Sequence, residues 1–214
     1  MPILKLMEAF TEEQLTAFQQ SFLDAHNDKR ALHAETLPLA LDAALSTEAQ
    51  TYADTLVEAN AAMPDLTANF GHDEEIAGGT GENIHFAAGS FPTLEEGINT
   101  NISDSVDAWY GEIDNFNFEK PEDNFEAKPG SSHFAQIVWK ATTLLGVGFG
   151  IRDDFKYKLK GTDYILQAFF MVLRYKAIGS EENQYTANVM PLIPVEEEPE
   201  EEPGEEPGEE PPVT

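Results

Sequence analysis

The chain has no cysteine among its 214 residues. Disulfides and thiolate metal sites are therefore excluded, and any bound metal must rely on His, Asp or Glu. Basic residues are also scarce: 12 Lys and Arg stand against 40 Asp and Glu, a formal net charge of −28. Ten of the negative charges fall in residues 196–214, which hold no Lys or Arg, leaving about −18 on the rest of the chain. A field of that sign repels phosphate, so nucleic acid and anionic headgroups are not expected as partners, whereas cations are drawn in. No run of eighteen apolar residues occurs, so no transmembrane segment is expected. The opening MPILKLMEAF reads as a poor signal peptide, with a very short apolar stretch and no small-residue cleavage site, and Pro2 excludes N-myristoylation. These absences favour a cytoplasmic place, or one at the face of an intracellular membrane. An extracellular one would need a processed or non-classically secreted form.

What is present is organised around SHFAQIVWKATTLLGVGFGI, residues 132–151. The apolar run Phe134–Trp139 and the run Gly146–Ile151 read as two adjacent strands, the first buried on both faces with His133 at its mouth. Glycines at 146, 148 and 150 leave one face of the second strand flat, so that another element or a ligand can approach its backbone. Tyr164–Tyr175, apolar on both faces, reads as the central strand, reached through a hairpin connection at 152–162.

Three helices precede this sheet. Thr11 and Gln14 form a capping-box pattern, and Leu15, Phe18, Phe22 and Ala25 make one apolar face, predicting a helix over 12–34. His26 continues that face and reads as a structural histidine. A second helix, about 42–62, carries Leu45, Ala49, Tyr52, Ala53 and Leu56 and is ended by Pro64. In the third, Ile98, Ile102, Val106 and Trp109 recur at helical spacing. The sequon at Asn101 lies inside this helix and is discounted. Between the second and third helices, Gly71 to Ile84 reads as a polar loop, with a further variable loop at 88–97. Residues 113–131 lack periodicity but hold Phe116, Phe118 and Phe125; such a loop is either pinned by its rings or offers them as a binding surface. The Glu-, Pro- and Gly-rich tail, 196–214, cannot bury enough surface to offset its ordering entropy and is expected to be disordered. The reading is an α+β layered domain over residues 1–195, followed by that tail.

AHNDKR in the first helix, GENI at 81–84, AWYGEIDNFNF at 108–118 and HFAQIVWKATTLLGVG at 133–148, in that order, resemble the CAP superfamily of cysteine-rich secretory, antigen 5 and pathogenesis-related 1 proteins. The end of the match, RYKAIGSEENQYTANVMPL, is similar to the cysteine-poor, Golgi-associated branch. The resemblance implies a three-layer α-β-α sandwich with a small central, mainly antiparallel sheet. It further implies a cleft with two histidines and two glutamates, which carry over to His72, Glu82, Glu112 and His133. Two imidazoles suit zinc or a similar divalent cation, with the carboxylates as further ligands or as holders of a bound water. Two departures stand out: the long interval from Glu82 to Glu112, attributed to an insertion near 88–97, and His85, either a further titratable group at the cleft rim or a surface residue.

Family members are described as binding sterols or other lipids, so the resemblance implies a binding module whose aromatic loop, with Phe116, Phe118 and Phe125, contacts lipid. The alternatives are a metal-dependent hydrolase and a non-catalytic scaffold with a protein partner or a second copy of the chain. Ser131 and Ser132 beside His133 suggest a nucleophile, but neighbours in a strand point to opposite faces and no nucleophile elbow is present, so no catalytic residue is assigned.

Overall fold

The computed structural model describes residues 9–126 and 130–194, so the tail expected to be disordered lies outside the described residues. The elements, in chain order, are α1 (Glu12–Arg30), β1 (Ala40–Leu41), α2 (Ala43–Ala59), α3 (Met63–Asn69), β2 (Gly81–Gly89), α4 (Leu94–Gly111), a 3-10 turn (Glu112–Asn115), α5 (Asp123–Glu126), α6 (Ser132–Val138), β3 (Leu144–Leu159), β4 (Thr162–Lys176) and α7 (Tyr185–Asn188). The sheet order is β1-β3-β4-β2. β3, β4 and β2 are antiparallel, and the short β1 runs parallel to β3.

Side-chain alternation on β3 and β4 separates two cores. Leu145, Val147, Phe149, Phe169, Met171 and Leu173 face α1, α4 and α6, where they meet Phe18, Phe22, Ile98, Ile102, Val106 and Phe134. Ala168, Phe170 and Val172 face the other way, onto Ala49, Ala53, Leu56 and Val57 of α2. Helices thus cover both faces of the sheet, the three-layer sandwich expected. The alternate glycines of β3 serve helix approach. A Cβ on Gly146 would sit 2.3 Å from the carbonyl carbon of Leu45, and one on Gly148 2.3 Å from that of Ala49. α2 therefore packs with its backbone nearly on the strand, and Ser46 and Gln50 use that closeness to hydrogen-bond the β3 backbone at Val147 and Phe149.

Several boundaries differ from expectation. Phe134–Trp139 is not a strand: residues 132–138 form the helix α6, with Phe134 through Val138 all buried. Because the five successive residues from Phe134 are all enclosed, the run carries no 3.6-residue signature and reads like a buried strand. α1 stops at Arg30, not 34, and α2 at Ala59, after which Pro64 enters a separate short helix near its start rather than ending the previous one. GENI belongs to strand β2, which reaches Gly89. With α4 starting at Leu94, strand and helix fill most of the long Glu82–Glu112 interval. β3 and β4 extend almost to the hairpin tip, past a bulge between Arg152 and Phe155.

The AHNDKR segment ties this frame together. His26 hydrogen-bonds the Phe22 carbonyl through Nδ1 (2.7 Å) and the Tyr175 hydroxyl through Nε2 (2.9 Å), as suits a structural histidine. The Asn27 amide accepts from the Leu39 N–H and donates to its carbonyl. The guanidinium of Arg30, fully buried, donates to the carbonyls of Leu37, Ile137, Trp139 and Thr142 at 2.7–3.0 Å. Burial lowers its pKa to about 10.

Candidate functional site

The four residues expected to form the site come from different elements. Glu82 lies near the start of β2, and His72 in the loop between α3 and β2. Glu112 follows α4, and His133 is in the first turn of α6. Because β2 is an edge strand, a cleft of about 250 Å³ opens over it. His72, Glu82 and His133 line it, together with Asp73, Gln136 and Gly179.

Glu112 stands behind His133 rather than in the cleft lining, and the four residues are paired, one histidine to one glutamate. Glu112 Oε1 lies 2.6 Å from His133 Nδ1, while its Oε2 accepts from the backbone N–H groups of His133 (2.9 Å) and Phe134 (3.2 Å). One carboxylate therefore caps the start of α6, where Ser131 supplies no side-chain cap, and also orients the imidazole of that turn. The Trp109 ring stacks on His133, centroids 6.2 Å apart. On the other side, His72 Nδ1 lies 2.8 Å from Glu82 Oε1, which also accepts from the Asp73 N–H at 3.1 Å. The two halves differ in burial: the Glu82 side chain is 4% exposed but that of His72 is 59% exposed.

A carboxylate on Nδ1 fixes the Nδ1–H tautomer of the neutral ring and leaves the Nε2 lone pair as the coordinating atom, the arrangement in which carboxylates commonly support metal-binding histidines. Among the described residues, no three His, Asp or Glu side chains converge as a ready ligand set. The two imidazoles, each with Nδ1 on a carboxylate, are the donors that would meet a divalent cation here, through Nε2 and with water completing the coordination. Glu82 and Glu112 are engaged as partners of the histidines rather than turned inward as ligands.

The remaining histidines are accounted for by packing. His33 bonds the Met190 carbonyl and the Tyr110 hydroxyl. His85 is half-buried against the edge of Trp109, on the same indole as His133. Desolvation, aided by the charge of His133 and opposed by that of Asp104, lowers its pKa. Asn101, the discounted sequon, is buried and bonds the Gly97 carbonyl.

The aromatic loop is held down. Phe116 is 7% exposed and packs on Phe134 and Tyr185. Phe125 leans on the same core. Asn124 accepts from the Asn117 N–H and donates to the carbonyls of Asn117 and Pro121, closing the loop. Of the three expected lipid-contacting rings, Phe118 is the exposed one, at 37%.

Sequence reasoning missed Arg174 and Asp73. Arg174 Nη2 lies 2.7 Å from Asp73 Oδ2 and 3.1 Å from Glu82 Oε2. The signal was available: a single charge inside the apolar strand Tyr164–Tyr175 has to be buried, and a buried charge needs a partner.

Comparison with known proteins identifies the family. Residues 23–175 match the Cysteine-rich secretory protein family, CAP. The chain belongs to that family. It is 33% identical over 175 residues to Protein PRY2 of Saccharomyces cerevisiae, covering 82% of this chain and 42% of the yeast protein. It is 31% identical over 177 residues to Golgi-associated plant pathogenesis-related protein 1 of Homo sapiens, covering 81% of this chain and 93% of the human one. The CAP chain described here thus spans less than half the length of one relative and nearly all of the other. Among solved structures, Na-ASP-1 superposes with a TM-score of 0.51 at 18% identity, over 80% of this chain and 39% of that one, a likeness of fold. No helix among the described residues is long and apolar enough to cross a membrane.

Proposed function

We propose that this CAP domain is a binding module whose cleft takes a divalent cation, zinc in the first instance, on Nε2 of His72 and Nε2 of His133. The observation that carries the reading is the pairing of each imidazole Nδ1 with a carboxylate, at 2.8 and 2.6 Å. Glu82 and Glu112 hold the rings in the coordinating tautomer, and the acidic body raises the local cation concentration. A bound ion would supply Lewis acidity at the cleft; no residue of this chain is assigned a nucleophilic role. Ser132 and His133 are successive residues of a helix and do not face each other.

The lipid part of the reading rests on family membership and on one exposed ring. Phe118 is the group offered to a sterol or acyl chain, with Phe116 beneath it as support, centroids 4.7 Å apart. Calorimetric titration of zinc into wild type, His72→Ala and His133→Ala tests the metal site. Each substitution should weaken binding at least tenfold, and binding should fall in acid because neutral imidazole is the ligand. Equal affinity in all three proteins would defeat the assignment.

A further inference from the structure

The two halves of the cleft are built differently. His133 stands on a helix whose first turn is capped by its own partner, Glu112. His72 stands in the loop 71–80, which has neither helix nor strand. Its ends are tied by neutral hydrogen bonds, from the Tyr52 hydroxyl to the Gly71 carbonyl (2.6 Å) and from the Ile178 N–H to the Gly79 carbonyl (3.1 Å), and between them a charge network holds Asp73 beside His72. Arg174, 2% exposed on β4, is the direct cross-strand neighbour of Glu82 on β2. Its Nη2 reaches Asp73 Oδ2 at 2.7 Å and lies 3.1 Å from Glu82 Oε2, and its guanidinium carbon sits 5.5 Å from the centre of the Tyr52 ring. Asp73 returns the connection: its N–H donates to Glu82 Oε1, the oxygen that also meets His72 Nδ1.

We propose that Arg174 is a positioning residue that latches the loop carrying His72 to the sheet, and through Glu82 sets the direction of the His72 imidazole. The inference rests on the metal reading above. The argument is electrostatic and geometric. Asp73 and Glu82 both carry negative charge beside one guanidinium, and Glu82 is almost wholly removed from water. Without Arg174 the two carboxylates face each other in a poorly screened site, where like charges repel strongly. Asp73, on the loop, is the one free to move, and His72 moves with it. A guanidinium suits this place because it is planar, always charged and stacks on an aromatic face, here Tyr52. A lysine at 174 restores the charge but not the planar cation lying over the Tyr52 ring. His133, held by the α6 backbone, has no part in the latch, so the effect is confined to one of the two ligands.

The test uses the full chain with Arg174→Met, Arg174→Lys and Asp73→Asn, each also combined with His72→Ala. Two readouts are taken at pH 7.5: zinc affinity, and the imidazole nitrogen chemical shifts of His72 and His133 in metal-free protein. Loss of a residue that supports a ligand typically costs 10–100-fold in metal affinity. Arg174→Met should therefore weaken zinc by at least tenfold, Arg174→Lys by less, and neither by more than about twofold once His72 is already alanine, since the double-mutant cycle isolates the shared path. In the metal-free protein, His72 should change from a single Nδ1–H tautomer to a mixture while the His133 signals stay put. Equal weakening in both backgrounds, or unchanged His72 signals, overturns the latch. If wild type takes no zinc, the metal reading fails and the nitrogen signals alone decide the latch: a shifted His72 tautomer supports it, an unshifted one ends it. Should Arg174→Met not fold, Asp73→Asn, on the loop side of the same contact, carries the test.

Discussion

His26 makes the fold sensitive to mild acid by an amount that can be worked out in advance. The ring is fully buried and both nitrogens are engaged, by Phe22 and Tyr175. Desolvation, aided by the charge of Arg30 and opposed by the Phe22 hydrogen bond, lowers its pKa from 6.5 to about 4. The folded state thus binds this proton more weakly than the unfolded chain does. Stability is then fully present above pH 6.5 and drains away as pH falls toward 4. Between pH 7 and pH 5 the linkage relation gives a loss of about 2 kcal/mol, because at pH 5 the unfolded histidine is almost all protonated and the folded one hardly at all. His33, whose pKa burial also lowers, adds a smaller loss of the same sign. Urea unfolding at a series of pH values on wild type and His26→Gln reads the term directly. The cost of the substitution itself cancels, because the quantity compared is the slope with pH. Wild type should lose about 2 kcal/mol more than the variant between pH 7 and 5. Parallel slopes would show that His26 titrates normally and that the buried relay to Tyr175 is not maintained in solution.

Gly148→Ala forces a methyl to within 2.3 Å of the α2 backbone, where no side chain can rotate away, and should cost about 3 kcal/mol. Gly111→Ala, with open space at the same atom, should be neutral or slightly stabilising, and melting temperatures distinguish the pair. Arg30→Met leaves four carbonyls without their donor and should lower stability by roughly 4 kcal/mol, or on the order of 10 °C in a thermal melt. Phe116→Ser should lose about 3 kcal/mol of stability as a core truncation. Phe118→Ser should scarcely change the melt but weaken sterol uptake by up to about tenfold; a wild type that takes up no sterol removes the lipid reading.

Most of the frame was legible because it rests on local rules. The Thr11–Gln14 capping box forms as written, and the stripe Ile98, Ile102, Val106, Trp109 is wholly buried. The alternate glycines of β3 announced a close approach, and α2 makes it. What escaped was non-local or enclosed. In α6 the five residues Phe134 to Val138 are all buried, so the helical period is invisible in that run. The roles of Asn27 and Arg30 depend on carbonyls from 7 to 112 residues away, which no spacing reveals. In the site, family resemblance supplied His72, Glu82, Glu112 and His133. Only the geometry assigns the glutamates to Nδ1 of each ring. The aromatic loop was read as either pinned or presenting, and its rings divide, with Phe116 inside and Phe118 at the surface.

The most direct test of the metal assignment is an anomalous-scattering map from crystals of the full chain grown with zinc, at the zinc absorption edge. The account predicts a peak in the cleft about 2.0–2.1 Å from Nε2 of His72 and Nε2 of His133, with Glu82 and Glu112 still on the Nδ1 atoms. A cleft without anomalous density, or a zinc ion held by the carboxylates with either ring turned away, would contradict it.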